Sequence, residues 1–316
     1  MRSSERAPQC KTLSPDVDSL KRIRRSVLPE LMNVTAELKV RELKPGFGAE
    51  LLGIDLASAD LATIDEVVRT FELHGVLLAR HQKMTPDDLM RVLGRFGELE
   101  DHTLKQYTLP GYPKIYILSN RTDASGRPIG AHNDGIGWHT DYSYMEKPVK
   151  CTMLYAVEVP PEGSDTLVAD CCGAYRALPE ARRRQLEKLS LHHSYKYFME
   201  TRQYGRMKIS KEIEEATPDV VHPLIRTHPV DGRKALWPST GTVTEVVGMP
   251  GEQGLKLLDE LVEFVTQDQF VLRHRWQVGD IFIFDNRCTL HTGTPYDDTK
   301  YFRLMHRMWC KGDRPF

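Results

Sequence analysis

The sequence FVLRHRWQVGDIFIFDNRCTLHTG occupies residues 270–293. The segments on either side of Gly279 and Asp280 are rich in aromatic and β-branched side chains, and the two residues between them favour a turn. Two strands are therefore predicted, at residues 270–276 and 281–284, and a further strand is predicted at 301–310. The second half of the chain is expected to consist mainly of antiparallel sheet.

Helices and strands elsewhere follow each other without a regular alternation. Residues 62–73 and 252–265 repeat apolar side chains with helical spacing, and Gly75 provides a stop for the first helix. Thr85 followed by Pro86 predicts the start of another helix. The chain contains neither a G-x-G-x-x-G nor a P-loop sequence. The pattern indicates an α+β protein, mainly β, rather than a doubly wound parallel sheet.

The composition excludes several classes of protein. Apolar residues make up 40% of the 316 residues, and 43 Lys and Arg nearly balance 44 Asp and Glu. A near-zero net charge argues against a nucleic-acid-binding protein, which needs a basic surface to neutralise phosphates. No apolar run approaches the roughly 20 residues that span a bilayer. We therefore expect a globular protein that binds neither nucleic acid nor membrane.

The cysteines and the N-terminal segment bear on compartment and domain organisation. Six cysteines occur without a C-x-x-C pair, and the N-terminus lacks the apolar core of a secretory signal. These features favour free thiols in a reducing compartment, so the expected location is cytoplasmic. Residues 1–33 are polar, with a basic patch, and are expected to be a flexible or helical extension. Residues 34–316 are expected to form a single domain.

The first candidate site is the sequence Trp-His-Thr-Asp at residues 138–141. On a predicted strand, His139 and Asp141 point to the same face and offer one nitrogen and one oxygen ligand to a divalent ion. A second histidine would complete the 2-His-1-carboxylate triad that holds Fe(II) with positions open for substrate and O2. An H-x-D pair also arises by chance, so the third ligand decides whether this interpretation holds.

His291 is the best candidate for the third ligand, because it follows the strand–turn–strand segment and lies at a strand end. Downstream, Arg303 and Arg307 share one face of the last predicted strand. Buried charges without partners are costly, so two guanidinium groups on an apolar strand imply anionic ligands. The alternative is that both arginines form salt bridges with Asp297, Asp298 or Asp313.

The order of these motifs resembles the taurine dioxygenase (TauD/TfdA-like) family of Fe(II)- and 2-oxoglutarate-dependent dioxygenases. The resemblance runs from about Leu38 to the C-terminus. Besides the motifs already quoted it includes RFGEL at 95–99, PPEGSDT at 160–166, His228 with Pro229, DNR at 285–287 and RLMHR at 303–307. It implies a double-stranded β-helix (jelly roll) core with flanking helices.

The resemblance also implies a role for individual residues. It makes His139, Asp141 and His291 the iron ligands, with Thr166 and Arg303 binding the co-substrate 2-oxoglutarate. It matches Arg307 with the arginine that receives an anionic substrate, and His102 with a second substrate contact. Guanidinium suits the carboxylate and sulfonate groups concerned, because its parallel N–H groups form two-pronged hydrogen bonds. The implied reaction consumes O2 and 2-oxoglutarate and releases succinate and CO2.

Two departures from the family pattern bear on the substrate. The usual Gly-Gly-Asp-Thr reads Gly-Ser-Asp-Thr at residues 163–166, a change that is not expected to move Thr166. Tyr144 stands where phenylalanine is expected, and its hydroxyl is a candidate contact for a polar substrate. Taurine specificity therefore does not carry over, and the expected substrate is a small organic anion such as a sulfonate, sulfate ester or carboxylate.

Two other functions remain open from the sequence alone. The first is a biosynthetic oxidase of an amino-acid-like substrate, carrying out desaturation or isonitrile formation at the same site. The second is a non-catalytic, metal-binding jelly-roll sensor, although a sensor needs no arginine clamp for a co-substrate. The family resemblance also leads us to expect a homo-oligomer, a dimer or a tetramer.

Overall fold

The computed structural model describes residues 38–102, 105–132, 135–201 and 208–316. The expected N-terminal extension, residues 1–33, lies outside these ranges. The α-helices are α1 Leu61–His74, α2 Pro86–Leu93, α3 Cys171–Ala177, α4 Glu180–Leu186, α5 Tyr195–Thr201, α6 Lys211–Ala216 and α7 Gly251–Val265, and a 3-10 turn lies at Lys105–Tyr107.

The strands outnumber the helices, as the sequence pattern indicates. They are β1 Val40–Lys44, β2 Phe47–Leu51, β3 Val76–Ala79, β4 Thr108–Leu109, β5 Tyr112–Ser119, β6 Cys151–Glu158, β7 Thr166–Asp170, β8 Ser190–His193, β9 Val220–Pro223, β10 Ile225–Thr227, β11 Lys234–Leu236, β12 Val243–Val246, β13 Val271–His274, β14 Ile281–Asp285, β15 Thr289–Gly293 and β16 Leu304–Cys310.

Two facing sheets form the core of the fold. The major sheet has eight strands in the order β1-β2-β3-β14-β6-β16-β5-β4, and the minor sheet has the order β13-β7-β15. Every pairing in them is antiparallel except that of β2 with β3. An apolar layer that includes Phe282, Met305 and Trp309 of the major sheet and Val168 and Leu272 of the minor sheet fills the space between them. The arrangement is a jelly-roll core with flanking helices, which confirms the expected fold class.

Strand alternation divides the side chains of β16 between two cores. Met305 and Trp309 pack in the layer between the sheets, whereas Met308 and Cys310 pack on the outer face against α1 and α2. Arg307 lies between Met305 and Trp309 in this alternation and faces the space between the sheets. The last strand therefore carries a charged side chain into an otherwise apolar layer.

Local sequence features fix the flanking helices. Asp60 caps α1 by accepting the N–H of Thr63, and Gly75 ends it with a φ of 70°. Thr85 and Asp88 form a capping box at the start of α2, with Pro86 in the first turn. The predicted start of α2 and the predicted stop of α1 at Gly75 are therefore confirmed, and α2 ends at Leu93. Within the described ranges no helix has the length and apolarity needed to cross a membrane.

Buried histidines support the turn that follows the Trp-His-Thr-Asp motif. His193 Nδ1 and Ser143 Oγ both lie 2.8 Å from the hydroxyl of Thr242, and the His222 ring lies 5.3 Å from the His193 ring. Burial, followed by the charge of His222, lowers the pKa of His193 to about 3. Burial also lowers the pKa of His222 to about 4. Both imidazoles are therefore neutral in the folded protein at neutral pH.

These lowered pKa values predict a loss of stability in mild acid. Below the unfolded pKa of 6.5 the unfolded chain binds protons at His193 and His222 that the folded chain does not bind, so stability falls as the pH falls. Between pH 6.5 and 5 each histidine should approach a slope of about 1.4 kcal/mol per pH unit. Urea unfolding across this range measures the slope. His193→Asn should lower the slope by the contribution of one histidine, up to about 1.4 kcal/mol per pH unit, and a slope unchanged in that variant would contradict the assignment.

Candidate active site

The two histidines of the proposed triad are joined by backbone hydrogen bonds. The His139 N–H donates to the His291 carbonyl at 3.0 Å, and the His291 N–H donates to the His139 carbonyl at 2.8 Å. The expected position of His291 at a strand end is wrong, because it lies in the middle of β15, opposite Val168 of β7. The expected strand at residues 138–141 is wrong, because His139 forms a single bridge and Tyr142 then turns with a φ of 58°. The bridge alone brings the two imidazoles together.

The ligand atoms of His139, Asp141 and His291 converge. Each histidine Nε2 lies 3.7 Å from an oxygen of Asp141, and the three groups offer donor atoms within 4.8 Å of one another. His139 Nδ1 lies 2.6 Å from the Gly137 carbonyl, so in the neutral imidazole the hydrogen is on Nδ1 and Nε2 carries the lone pair. Two imidazole nitrogens and one carboxylate fit the donor set of a non-haem Fe(II) ion.

The protonation states of the buried groups agree with metal binding. Burial, followed by the charge of His139, holds the pKa of His291 well below its usual value, so its imidazole is neutral. Burial alone would raise the pKa of Asp141, but the Arg307 guanidinium and the neighbouring imidazoles hold it well below its usual range. Asp141 is therefore a carboxylate at neutral pH.

Three side chains from the major sheet orient the Asp141 carboxylate. Thr152 and Trp309 donate hydrogen bonds to Oδ2, the indole N–H at 3.1 Å, and Arg307 forms an ion pair with Oδ1. Asn286 Nδ2 donates to the Thr152 hydroxyl at 2.9 Å and so fixes its direction. The motifs in the sequence do not predict Thr152, Trp309 or Asn286 as site residues. Trp309 could have been found, because it lies two residues after Arg307 on the same strand face.

A buried ionic network holds Asn286 in place. Asp285 accepts hydrogen bonds from the Arg287 side chain and lies 3.0 Å from His228 Nε2, while Arg287 and Lys150 both pair with Glu72. His228, Asp285 and Cys288 also have metal-ligating atoms close together. Guanidinium groups already compensate the carboxylate there, so this second cluster does not fit a cation. The DNR sequence at residues 285–287 therefore has a structural role beside the active site.

The aromatic side chains next to Asp141 include two of the expected substrate contacts. His102 stacks on Trp309 with ring centres 4.9 Å apart and on Tyr116 at 3.6 Å. His102, Tyr116 and Trp309 thus form an aromatic wall. The guanidinium of Arg307 lies over Trp309, 4.7 Å from its ring centre. Tyr144 is buried, and its ring lies 4.4 Å from that of Tyr195. His102 thus lies one ring away from the carboxylate, whereas Tyr144 belongs to a neighbouring aromatic cluster.

Thr166 and Arg303 are the two residues expected to bind the co-substrate. Thr166 is the first residue of β7, and its buried hydroxyl accepts the Trp276 indole N–H at 3.1 Å, which leaves its own hydrogen to donate. Arg303 is held by its backbone N–H, which donates to the Asn120 side chain at 2.9 Å. Burial, with repulsion from Arg307, lowers the pKa of Arg303 to about 10. Arg303 is still charged at neutral pH, and two cations therefore face this part of the site.

Comparison with known proteins agrees with this geometry. The family model described as "Taurine catabolism dioxygenase TauD, TfdA family" matches residues 39–309. The chain belongs to the TauD/TfdA family. It is an Fe(II)- and 2-oxoglutarate-dependent dioxygenase, with O2 as the second co-substrate, as the resemblance implied. The predicted cytoplasmic location and the predicted homo-oligomer stay predictions.

The curated relatives of this TauD/TfdA-family chain differ in substrate. The alpha-ketoglutarate-dependent 2,4-dichlorophenoxyacetate dioxygenase of Cupriavidus pinatubonensis is 36% identical over 266 residues, which cover 81% of this chain and 91% of the relative. The alpha-ketoglutarate-dependent sulfonate dioxygenase of Saccharomyces cerevisiae is 30% identical and covers 88% and 68%. Pentalenolactone F synthase of Streptomyces avermitilis is 29% identical and covers 85% and 92%.

Solved structures of the same family share the fold. A taurine dioxygenase from Burkholderia xenovorans superimposes with a TM-score of 0.72 at 25% identity, over 88% of this chain and 90% of that one. AAD-2 in complex with Mn(II) and N-oxalylglycine gives a TM-score of 0.71 at 28% identity, over 88% and 99%. The second of these structures is a complex with a divalent metal.

The contact between Thr152 and Asp141 predicts a loss of metal affinity on substitution. Thr152→Val keeps the shape of the side chain but removes the donor, so Asp141 Oδ2 loses one of its two hydrogen bonds. The affinity for Fe(II) or Mn(II), measured by calorimetry, should fall roughly tenfold to hundredfold. Thr152→Ser keeps the hydroxyl and is the matched control, which should bind metal nearly as well as the wild-type protein. Equal affinities in the Val and Ser variants would refute the role.

Proposed function

We propose that this chain hydroxylates a small organic anion, with His139, Asp141 and His291 as the Fe(II) ligands. The observation that carries the proposal is the pair of arginines beside the convergent triad. Arg307 contacts Asp141 directly, and Arg303 is close enough to Arg307 for repulsion between them to lower its pKa. Asp141 already pairs with Arg307, and the anionic groups of two small molecules would supply further partners for the two guanidinium groups next to the metal.

Arg303 and Thr166 are proposed to bind 2-oxoglutarate. The guanidinium of Arg303 would form a two-pronged contact with the distal carboxylate, which lies at the opposite end of the molecule from its metal-binding oxo acid group. Thr166 would donate its hydroxyl hydrogen, since its oxygen already accepts the Trp276 N–H. The neutral hydroxyl adds direction to this binding without adding charge.

Arg307 is proposed to bind the anionic end of the substrate, with His102 and Tyr144 as further contacts. Because Arg307 adjoins the carboxylate ligand and lies over Trp309, a group bound to it would lie beside the iron ligands, against the aromatic wall. His102 stacks on that same wall and can contact a polar group of the substrate. Tyr144 is proposed to contact the substrate from the neighbouring aromatic cluster, where its ring lies 5.5 Å from that of Tyr142.

The proposed reaction converts the substrate, 2-oxoglutarate and O2 into the hydroxylated substrate, succinate and CO2. Fe(II), when bound, supplies the oxidising chemistry, whereas the protein side chains orient the two organic molecules and exclude water. Arg307 sets which carbon lies nearest the metal, because it fixes the charged end of the substrate. Hydroxylation next to nitrogen, oxygen or sulfur would collapse to a cleaved product.

A sulfonate, sulfate ester or carboxylate is the proposed substrate class. Relatives named for 2,4-dichlorophenoxyacetate and for sulfonates both act on anions, which supports a guanidinium at this position. A biosynthetic oxidase remains the second candidate, since a pentalenolactone F synthase is similarly related. The third possibility from the sequence, a non-catalytic sensor, is not retained because the chain is a dioxygenase.

Removing any proposed iron ligand should abolish turnover. A succinate-release screen with Fe(II), O2 and 2-oxoglutarate over 2,4-dichlorophenoxyacetate, alkyl sulfonates, sulfate esters and N-substituted amino acids would first identify a substrate. His139→Ala, Asp141→Ala and His291→Ala should then reduce both succinate release and Fe(II) binding to background, because each removes one of the ligand atoms. His192→Ala, on β8, is the control and should retain activity. Full activity in any triad variant would contradict the ligand assignment.

Replacing Arg307 should separate substrate binding from co-substrate binding. Arg307→Ala should lower kcat/KM for the substrate by roughly tenfold to hundredfold, as expected for the loss of a charged hydrogen bond. The absorption band of the anaerobic Fe(II)–2-oxoglutarate complex should persist in the variant at saturating Fe(II), which offsets the weaker metal binding expected when Asp141 loses its ion pair. Arg95→Ala, which removes an exposed partner of Asp65, is the control and should change neither measurement. An unchanged substrate KM in Arg307→Ala would show that Arg307 serves only Asp141.

A further inference from the structure

Ser164 has an unusual backbone conformation in the segment before β7. Its φ is 52°, in the left-handed region that favours glycine. Among the described non-glycine residues only His81 and Tyr142 also have a positive φ. The preceding Gly163 is constrained as well, because a Cβ there would lie 2.8 Å from the Pro295 carbonyl oxygen. A glycine at position 164 would adopt the observed conformation at lower cost.

The side chain of Ser164 adds a second cost. The residue is 4% exposed, and its hydroxyl is buried without a hydrogen-bond partner in the described structure. Its backbone N–H, in contrast, donates to the Pro295 carbonyl at 3.3 Å. A buried hydroxyl without a partner destabilises the folded protein. Glycine would avoid this cost too. A serine at this position therefore does not increase the stability of the folded protein.

The surroundings of Ser164 identify what its hydroxyl can contact. Ser164, Thr294, Tyr296 and Arg303 line one cavity. The hydroxyl of Thr294 and Nε of Arg303 are also buried without partners among the described residues. Three groups able to donate hydrogen bonds, one of them carrying a positive charge, thus surround the same space. The complementary ligand is rich in acceptor oxygens and negatively charged, which describes a carboxylate.

We propose that Ser164 is a co-substrate-binding residue whose hydroxyl donates a hydrogen bond to the distal carboxylate of 2-oxoglutarate beside Arg303. This inference rests on the proposed function, in which Arg303 binds the same carboxylate. Ser164 replaces the second glycine of the Gly-Gly-Asp-Thr pattern, so the contact is a property of this chain rather than of that pattern. It offsets the strained backbone and satisfies the buried hydroxyl in the bound protein.

Ser164→Gly tests the inference, because it removes the hydroxyl and suits the backbone. Binding of 2-oxoglutarate to the Mn(II)-loaded, full-length protein would be measured by calorimetry, a readout that is independent of turnover. The affinity should fall roughly tenfold or more in Ser164→Gly, while the thermal midpoint stays the same or rises. The affinity for 2-oxobutyrate, which lacks the distal carboxylate, should be the same in the variant and the wild-type protein.

His81→Gly and Arg303→Lys are the comparison variants. His81 is exposed and has a φ of 58°, so His81→Gly makes the same backbone change outside the site and should leave 2-oxoglutarate affinity unchanged. Arg303→Lys should weaken 2-oxoglutarate binding. The role of Ser164 is overturned if Ser164→Gly binds 2-oxoglutarate as tightly as the wild-type protein. It is also overturned if the affinity for 2-oxobutyrate falls by the same factor as the affinity for 2-oxoglutarate. In either case, weak 2-oxoglutarate binding by Arg303→Lys would leave the proposed function standing. If the Mn(II)-loaded wild-type protein fails to bind 2-oxoglutarate, the proposed function is overturned as well.

Discussion

The carboxylate of Asp141 is the buried charge around which the site is built. It is 6% exposed, and a carboxylate at such a position is stable only if donors and cations replace its lost water. Thr152 of β6 and Arg307 and Trp309 of β16 supply these interactions. Two adjacent strands of the major sheet, β6 and β16, thus both direct side chains at the Asp141 carboxylate. The imidazoles reach it from elsewhere, His291 from the minor sheet and His139 from the loop bridged to it.

This dependence explains why so much charge lies buried behind the site. Asn286 can orient Thr152 only if the end of β14 is held in register, and Asp285 and Arg287 flank it with a mutual ion pair. Glu72 from α1 extends the network to Lys150, just before β6. A buried ion pair adds little net stability compared with apolar packing, because desolvation offsets the attraction. These ion pairs instead fix the positions of the chain segments that carry them, because each buried charge requires its partner at one defined place.

In the proposed function the two arginines bind different anions, because they occupy different positions on one chain segment. Arg307 is inside β16 and turns towards Asp141, whereas Arg303 precedes that strand and lines the cavity with Ser164 and Tyr296. Strand periodicity sends both towards the interior, but only the first contacts the aromatic wall. The proposed substrate and co-substrate are therefore recognised by separate cations a few residues apart. That separation allows the substrate contacts to vary while co-substrate binding is kept.

The sequence by itself indicated the class of fold through its alternating patterns, and its resemblance to the family singled out the triad residues and the two arginines, because the order and spacing of motifs can be read along the chain. It gave the wrong conformation at residues 138–141, where the bridge to His291 overrides local strand propensity. It could not supply Thr152 or Asn286, whose contacts join residues 11 and 134 positions apart. It could not show that Arg307 pairs with Asp141, or that the Ser164 hydroxyl has no hydrogen-bond partner among the residues the structure describes. Such facts depend on which strands become neighbours, and only the packing of the two sheets decided that.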